Sequence, residues 1–376
     1  MHKYITRAAA VALLLAAATQ AGAQKPKKWY DTMKLSGFTT MSYQYSSQEG
    51  SKSNSFALNM VRVGLDGKVG EFYWKTQIQI NGNTSTLGSS PRLVDAFAEW
   101  QKHREFYVRA GEFQVPFTLE SPIHPVDVGF LNNSQAVVKF TGYSDRSGMH
   151  GSNGRDIGIM VQGDVLPNAS GRPLLHYAAS VVNGQGIGLS DVDQRKNLVG
   201  CLWVMPIDGM RIGLSGWEGS YARKGTWTAA DGSAQSGVRS LPQHRYAISA
   251  DYQHKGFTAR TEYVHSTGEA FAKTLVNTND ASASDCSLSK LGNKADGFYA
   301  LAIAPVVKEK VNVKARYDVY RNQATWGSAK SLYEAGVDFF PAKKLRLSAE
   351  YCFVNDRTLS GKHDYSQVFT QLSVKF

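Results

Sequence analysis

Tyr365-Ser366-Gln367-Val368-Phe369-Thr370-Gln371-Leu372-Ser373-Val374-Lys375-Phe376 closes the sequence. Counting back from Phe376, every second residue is apolar or methyl-bearing: Val374, Leu372, Thr370 and Val368. Between them stand Lys375, Ser373, Gln371 and Gln367. A period of two marks a strand with one oily and one wet face. Chain ends ordinarily fray, whereas this one has the pattern of a sheet strand up to its last residue. Two architectures accept such a strand. One is the edge of a β-sandwich; the other is a stave of a membrane barrel, in which alternate residues face lipid and lumen.

The opposite end speaks for export. Lys3 and Arg7 precede an apolar run from Ala8 to Ala18, and Ala21-Gly22-Ala23 supplies small residues for cleavage, so residues 1–23 read as a secretory signal peptide. The core of that segment is too short to span a bilayer, and no later stretch approaches ~18 consecutive apolar residues, which excludes helical spans. Cys201, Cys286 and Cys352 are odd in number and widely spaced. They form neither a disulfide framework nor a metal-binding pattern. The formal charge is +11, of which Lys3 and Arg7 carry two. In an exported chain this points away from nucleic acid and towards anionic solutes or an anionic lipid surface.

Between the two ends the alternation hardly stops. It runs through Leu35 to Tyr45, Val61 to Leu65, Phe72 to Ile80, Val94 to Trp100, Phe106 to Ala110, Ile157 to Val161 and Leu175 to Val181. Weaker segments follow at Leu198 to Val204 and Met210 to Leu214. Cleaner ones cover Tyr246 to Tyr252, Phe257 to Tyr263, Phe298 to Ala304, Val311 to Val319, Tyr333 to Phe339 and Leu345 to Phe353. The spacing predicts an all-β, antiparallel transmembrane barrel of about 16 strands over residues 24–376, an even number being the rule for single-chain bacterial barrels. Tight connections such as Lys68-Val69-Gly70 and His254-Lys255-Gly256 alternate with long polar ones. Aromatic residues such as Trp100, Phe106, Phe339 and Tyr351 sit at segment ends, where membrane interfaces place them. No linker divides the chain. The competing readings are a soluble β-sandwich binding module and a barrel enzyme.

If the apolar set faces lipid, the intervening residues face the lumen. A Lys or Arg on the lipid side would cost about 2–4 kcal/mol at the midplane. The inward candidates for lining a pore and meeting anions are Arg62, Lys75, Arg109, Arg211, Arg260, Lys314, Arg316 and Arg346. Acidic residues such as Asp95, Glu99, Asp251 and Glu262 stand among them. A lumen with both signs is water-filled, and anion preference arises where basic groups cluster at a constriction. Residues 118–154 form the longest early break in the pattern, and a loop of this length folding inward would narrow the lumen. Its basic residues are Lys139 and Arg146. No catalytic motif, metal-ligand spacing or cofactor fingerprint appears, so no cofactor is expected.

Gly111-Glu112-Phe113-Gln114-Val115-Pro116-Phe117 resembles the strand that ends before the third long loop in the phosphate-selective porin O/P family. Gly154-Arg155-Asp156-Ile157-Gly158, Val182-Asn183-Gly184 and Arg316-Tyr317-Asp318 resemble further stretches of it. The resemblance implies a 16-stranded, trimeric porin of the bacterial outer membrane, in contact with outer-membrane lipid and passing phosphate or polyphosphate by way of an arginine ladder and a lysine cluster at the constriction. It also implies that Phe376 is a signal read by the outer-membrane assembly machinery. The chain departs from the family in one respect: its loop after Phe117 is poor in Lys and Arg, and no dense basic ladder emerges from the inward positions.

Overall fold

The computed structural model describes residues 28–81, 91–275 and 284–376. The expected signal peptide, residues 1–23, lies outside them. Sixteen staves make one ring: β1 (Lys34–Ser46), β2 (Ser53–Val69), β3 (Phe72–Gln79), β4 (Arg92–His103), β5 (Phe106–Gln114), β6 (Arg155–Pro167), β7 (Pro173–Val182), β8 (Asn197–Val204), β9 (Met210–Thr228), β10 (Ala234–His254), β11 (Phe257–Thr267), β12 (Lys294–Val307), β13 (Val311–Arg321), β14 (Ala329–Ala342), β15 (Leu345–Asp356) and β16 (Asp364–Lys375). Each pairs antiparallel with its neighbours in sequence. A two-residue strand, Ser284–Asp285, lies parallel to β9 near Gly225.

The closing strand does what its alternation implies. β16 pairs with β1 from Phe38 opposite Lys375 to Ser46 opposite Gln367, so the sheet has no open edge. In a bilayer an edge would leave its main-chain groups without partners at a cost that only closure avoids. Leu372 is 38% exposed while Ser373 is 1% exposed. The same inversion runs round the ring. Ile159, Leu214, Ile248, Leu347 and Tyr351 face outward, while Arg62, Asp95, Arg260, Glu262 and Lys314 are buried inside. A soluble protein would reverse those two sets; an outer surface of this kind suits hydrocarbon.

Three details depart from the alternation read in the sequence. Leu93 is exposed and Val94 is fully buried against Ile187, because the ladder slips between Gln77 and Ile78 and turns the start of β4 over. β2 begins at Ser53, so part of the Ser-rich stretch after β1 is strand. The β9–β10 hairpin is longer than its apolar residues indicate, at 19 and 21 residues. Its tip extends past the apolar band, where no lipid enforces a period of two.

The segment 115–154 does not leave the barrel mouth. It folds inward and carries a six-residue helix, α1 (Gln135–Phe140), whose amino-terminal turn is capped by the Ser134 hydroxyl accepting from the Val137 N–H at 3.3 Å. Phe117, Phe130, Ala136 and Phe140 from this loop join Trp217, Ala247, Val264 and Tyr299 from the wall in an apolar core inside the barrel. Among the described residues, Cys201, Cys286 and Cys352 are free thiols.

Candidate functional site

The loop is held mainly by its backbone. Glu262 on β11 accepts from the Leu119 N–H at 2.6 Å and the Glu120 N–H at 2.9 Å. Asp318 on β13 accepts from the Gln135 N–H at 2.7 Å, and Glu350 on β15 from the Leu131 N–H at 3.0 Å. Cations take the carbonyls: Arg260 donates to Val128 O at 3.2 Å, Lys314 to Gly129 O at 2.6 Å and Arg316 to Asn132 O at 3.0 Å. These side chains also pair with wall carboxylates. Lys314 reaches Asp338 and Glu350, both at 2.7 Å, Arg316 meets Glu334, and Arg260 meets Asp251 at 3.1 Å. Each of these three buried cations thereby finds an opposite charge and a main-chain carbonyl, the condition under which buried ions are tolerable.

Further along the loop, Asp145 forms a two-pronged pair with Arg245, with bonds of 2.8 and 2.9 Å. Arg146 donates to Gly268 O at 2.7 Å and Gly292 O at 3.3 Å, which ties the loop to the β11–β12 connection. Lys139 approaches the Ser144 hydroxyl at 3.4 Å and lies 5.9 Å over the Tyr320 ring. At the short-turn end of the barrel, Asp127 meets Lys375 of β16. Burial and the nearby Lys375 push His124 down to about 4, so Lys375 rather than the imidazole supplies the charge opposite Asp127 near neutral pH. Both partners of that last pair are partly exposed. Asp127→Asn should therefore change thermal stability by less than about 1 kcal/mol, measurable by the temperature at which the compact band is lost on electrophoresis.

With β11 to β15 covered, the open part of the lumen lies against β1 to β9. A cavity of about 660 Å³ remains there. Its wall carries Arg62, Lys75, Arg109, Arg155 and Arg211, against only Asp95 and Asp164. Lys75 and Arg155 share Asp95, at 3.1 and 2.7 Å. Arg109 pairs with Glu99 at 2.8 Å and stacks 4.2 Å over Phe97, and Arg211 meets Asp251 at 2.8 Å. Arg62 has no carboxylate among its hydrogen-bond partners. Its Nε donates to Gln79 Oε1 at 2.9 Å, its plane faces the Phe38 ring at 5.8 Å, and its Nη2 has no hydrogen-bond partner among the described residues. Asp95 serves two of these cations, Asp251 is shared with Arg260, and Arg62 has no carboxylate among its hydrogen-bond partners, so the wall carries an excess of positive charge.

The sequence-derived candidates therefore separate. Arg62, Lys75, Arg109 and Arg211 line the cavity. Arg260, Lys314 and Arg316 point inward but lie behind the loop. Arg346, buried beside Gln371 with a bond of 3.3 Å, is not among the lining residues. Lys139 and Arg146 fasten the loop and do not line the cavity. Arg155 is the site residue that the inward alternation did not single out. It sits in the Gly154-Arg155-Asp156 stretch that carried the family resemblance, where its position at the loop's return was the available signal.

Residues 35–176 match the model of the family described as phosphate-selective porin O and P, a span that covers β1 to β6, the inward loop and the start of β7. Over that span the chain resembles the family, and its closed antiparallel barrel is the porin fold. Solved structures share the fold along the chain. An anion-selective porin from Comamonas acidovorans aligns with a TM-score of 0.64 at 14% identity, covering 92% of this chain and 99% of that one. OmpF of Salmonella typhi, in complex with daunomycin, aligns at 0.61 with 11% identity over 92% and 97%. The trimer form of OmpT from Vibrio cholerae aligns at 0.55 with 11% identity over 92% and 99%. No curated protein matches this chain.

Proposed function

We propose that this protein is an outer-membrane porin, a passive, non-enzymatic channel for small hydrophilic solutes, and that it prefers anions. The observation that carries the reading is the wall facing the open lumen, where five Arg and Lys side chains stand against Asp95 and Asp164, with Glu99 and Asp251 paired to Arg109 and Arg211 and Arg62 left without a carboxylate. A water-filled passage with fixed positive charge concentrates anions and repels cations. The inward loop is the constriction, and phosphate belongs to the class of solutes admitted. Residues 1–23 act as a cleaved signal peptide. A homotrimer embedded in outer-membrane lipid is the working assembly, in keeping with the trimer form of the Vibrio cholerae neighbour.

Planar-bilayer recordings across a KCl gradient test this directly. The reversal potential should lie on the chloride side, and a value on the cation side would overturn the anion preference. Absence of any conductance from folded protein would overturn the channel itself. Arg62→Gln and Arg109→Gln should each move the reversal potential towards zero, because each removes a fixed positive charge from the wall. Arg346→Gln, remote from the cavity, should move it least.

A further inference from the structure

The cavity wall is not the wall of a site for a fully hydrated inorganic ion. Phe97 lies beneath Arg109, Met160 stands opposite Arg109 on the neighbouring strand β6, and Trp203 of β8 also lines the cavity, the last two with 3% and 6% of their surfaces exposed. The cations that keep part of their side chains open are Lys75, Arg109 and Arg211, at 31, 19 and 39%. Each is already engaged by a carboxylate. A tetrahedral phosphate dianion needs several converging donors and would meet those carboxylates as like charges. A single carboxylate head needs only one or two of the remaining N–H groups, while its apolar body gains contact with rings and thioether. The volume of about 660 Å³ falls within the ~300–1,000 Å³ range of small-molecule sites, which combine an apolar lining with a few polar groups.

We propose that this cavity is a binding site for organic anions with an apolar body, arene carboxylates foremost, which it prefers over inorganic phosphate and over short carboxylates. The proposal rests on the reading of the protein as an anion-preferring channel and names the solute class of that channel. Affinity comes from the join of two surfaces: Phe97 and Trp203 take the ring, and Lys75 and Arg109 take the head.

The test uses the full-length protein in planar bilayers with KCl as carrier, adding benzoate, cyclohexanecarboxylate, acetate or inorganic phosphate. Benzoate and cyclohexanecarboxylate should half-block the chloride current at concentrations about 10-fold below those of acetate and phosphate. Phe97→Ala should bring the benzoate value to within a few-fold of the acetate value, a ratio that does not depend on absolute conductance. Equal block by all four anions, or strongest block by phosphate, would overturn the proposal while leaving the anion channel intact. If the protein gave no current, the channel reading would fail instead. Quenching of Trp203 fluorescence by benzoate in detergent, compared with Trp203→Phe, would then decide the site: a benzoate-specific signal that vanishes in the variant supports it, and none overturns it.

Discussion

Glu262→Ala and Lys314→Met should each raise single-channel conductance severalfold while leaving the barrel closed. Glu262 accepts four hydrogen bonds, from the Leu119 and Glu120 N–H groups, the Ser249 hydroxyl at 2.6 Å and the Tyr299 hydroxyl at 2.8 Å. Truncation leaves buried donors unmet, two of them on the loop. Lys314→Met keeps the aliphatic stem but deletes the charge that neutralises Asp338 and Glu350 and holds Gly129 O. Removing one member of a buried pair costs about 3–5 kcal/mol. That cost is borne mainly where the structure can yield, which is the loop rather than sixteen hydrogen-bonded strands. A detached loop uncovers β11 to β15 and widens the lumen. The measurement is conductance beside the faster migration of unboiled protein on a gel. Unchanged conductance in protein that still migrates as a closed barrel would show that the loop does not set the width. Asp127→Asn, which cuts an exposed contact of the same loop, should not reproduce the effect.

The barrel was legible because lipid enforces a rule on each residue it touches. The apolar alternation in β14, β15 and β16 gives their faces directly, and the closure of β16 on β1 follows once no edge can be left open. Where lipid is absent the rule lapses. The tip of the β9–β10 hairpin holds Ser236 and Gly237 and shows no period. At Leu93 and Val94 a slip in the ladder reverses the faces, which no local pattern announces. The site was legible in part. Alternation correctly turned Arg260, Lys314 and Arg316 inward, but facing inward does not tell what lies in front of a side chain. The loop that covers them is bound largely through its own N–H and C=O groups, which every sequence possesses. Its scarcity of Lys and Arg, which looked like a departure from a charged constriction, fits a loop whose charges are supplied by the wall. Arg109 pairs with Glu99, Arg316 with Glu334 and Arg260 with Asp251. Pairings between strands depend on register and side-chain reach, which alternation alone leaves undetermined.

Gly37→Val should nearly abolish the folded barrel, and the cause lies at the seam between β1 and β16. Gly37 donates its N–H to Phe376 O at 3.2 Å and accepts from the Phe376 N–H at 3.0 Å, so these two residues complete the last rung of the ring. The Phe376 ring lies over the glycine. A Cβ at position 37 would run into that ring and would lie 2.7 Å from Arg62 O on the other neighbouring strand. Contacts that short force movement. Overpacking of this kind typically costs about 1–3 kcal/mol in a core that can adjust. Here the displaced groups are the rung itself and the strand beside it, and an unclosed seam exposes main-chain groups to hydrocarbon. The expected result is loss of the fast-migrating unboiled species and of membrane-inserted protein. On detergent refolding of the purified chain, Phe376→Ala combined with Gly37→Ala should restore part of the folded yield relative to Gly37→Ala alone, because one of the two obstructions has gone. If Gly37→Val assembled at the level of the unaltered protein, the ring could not occupy the place described. If the pair gave no rescue, the obstruction would lie with Arg62 O. We further propose that Phe376 is the group read by the assembly machinery. Phe376→Ala alone should then slow insertion in cells while leaving detergent refolding of the purified chain comparatively intact.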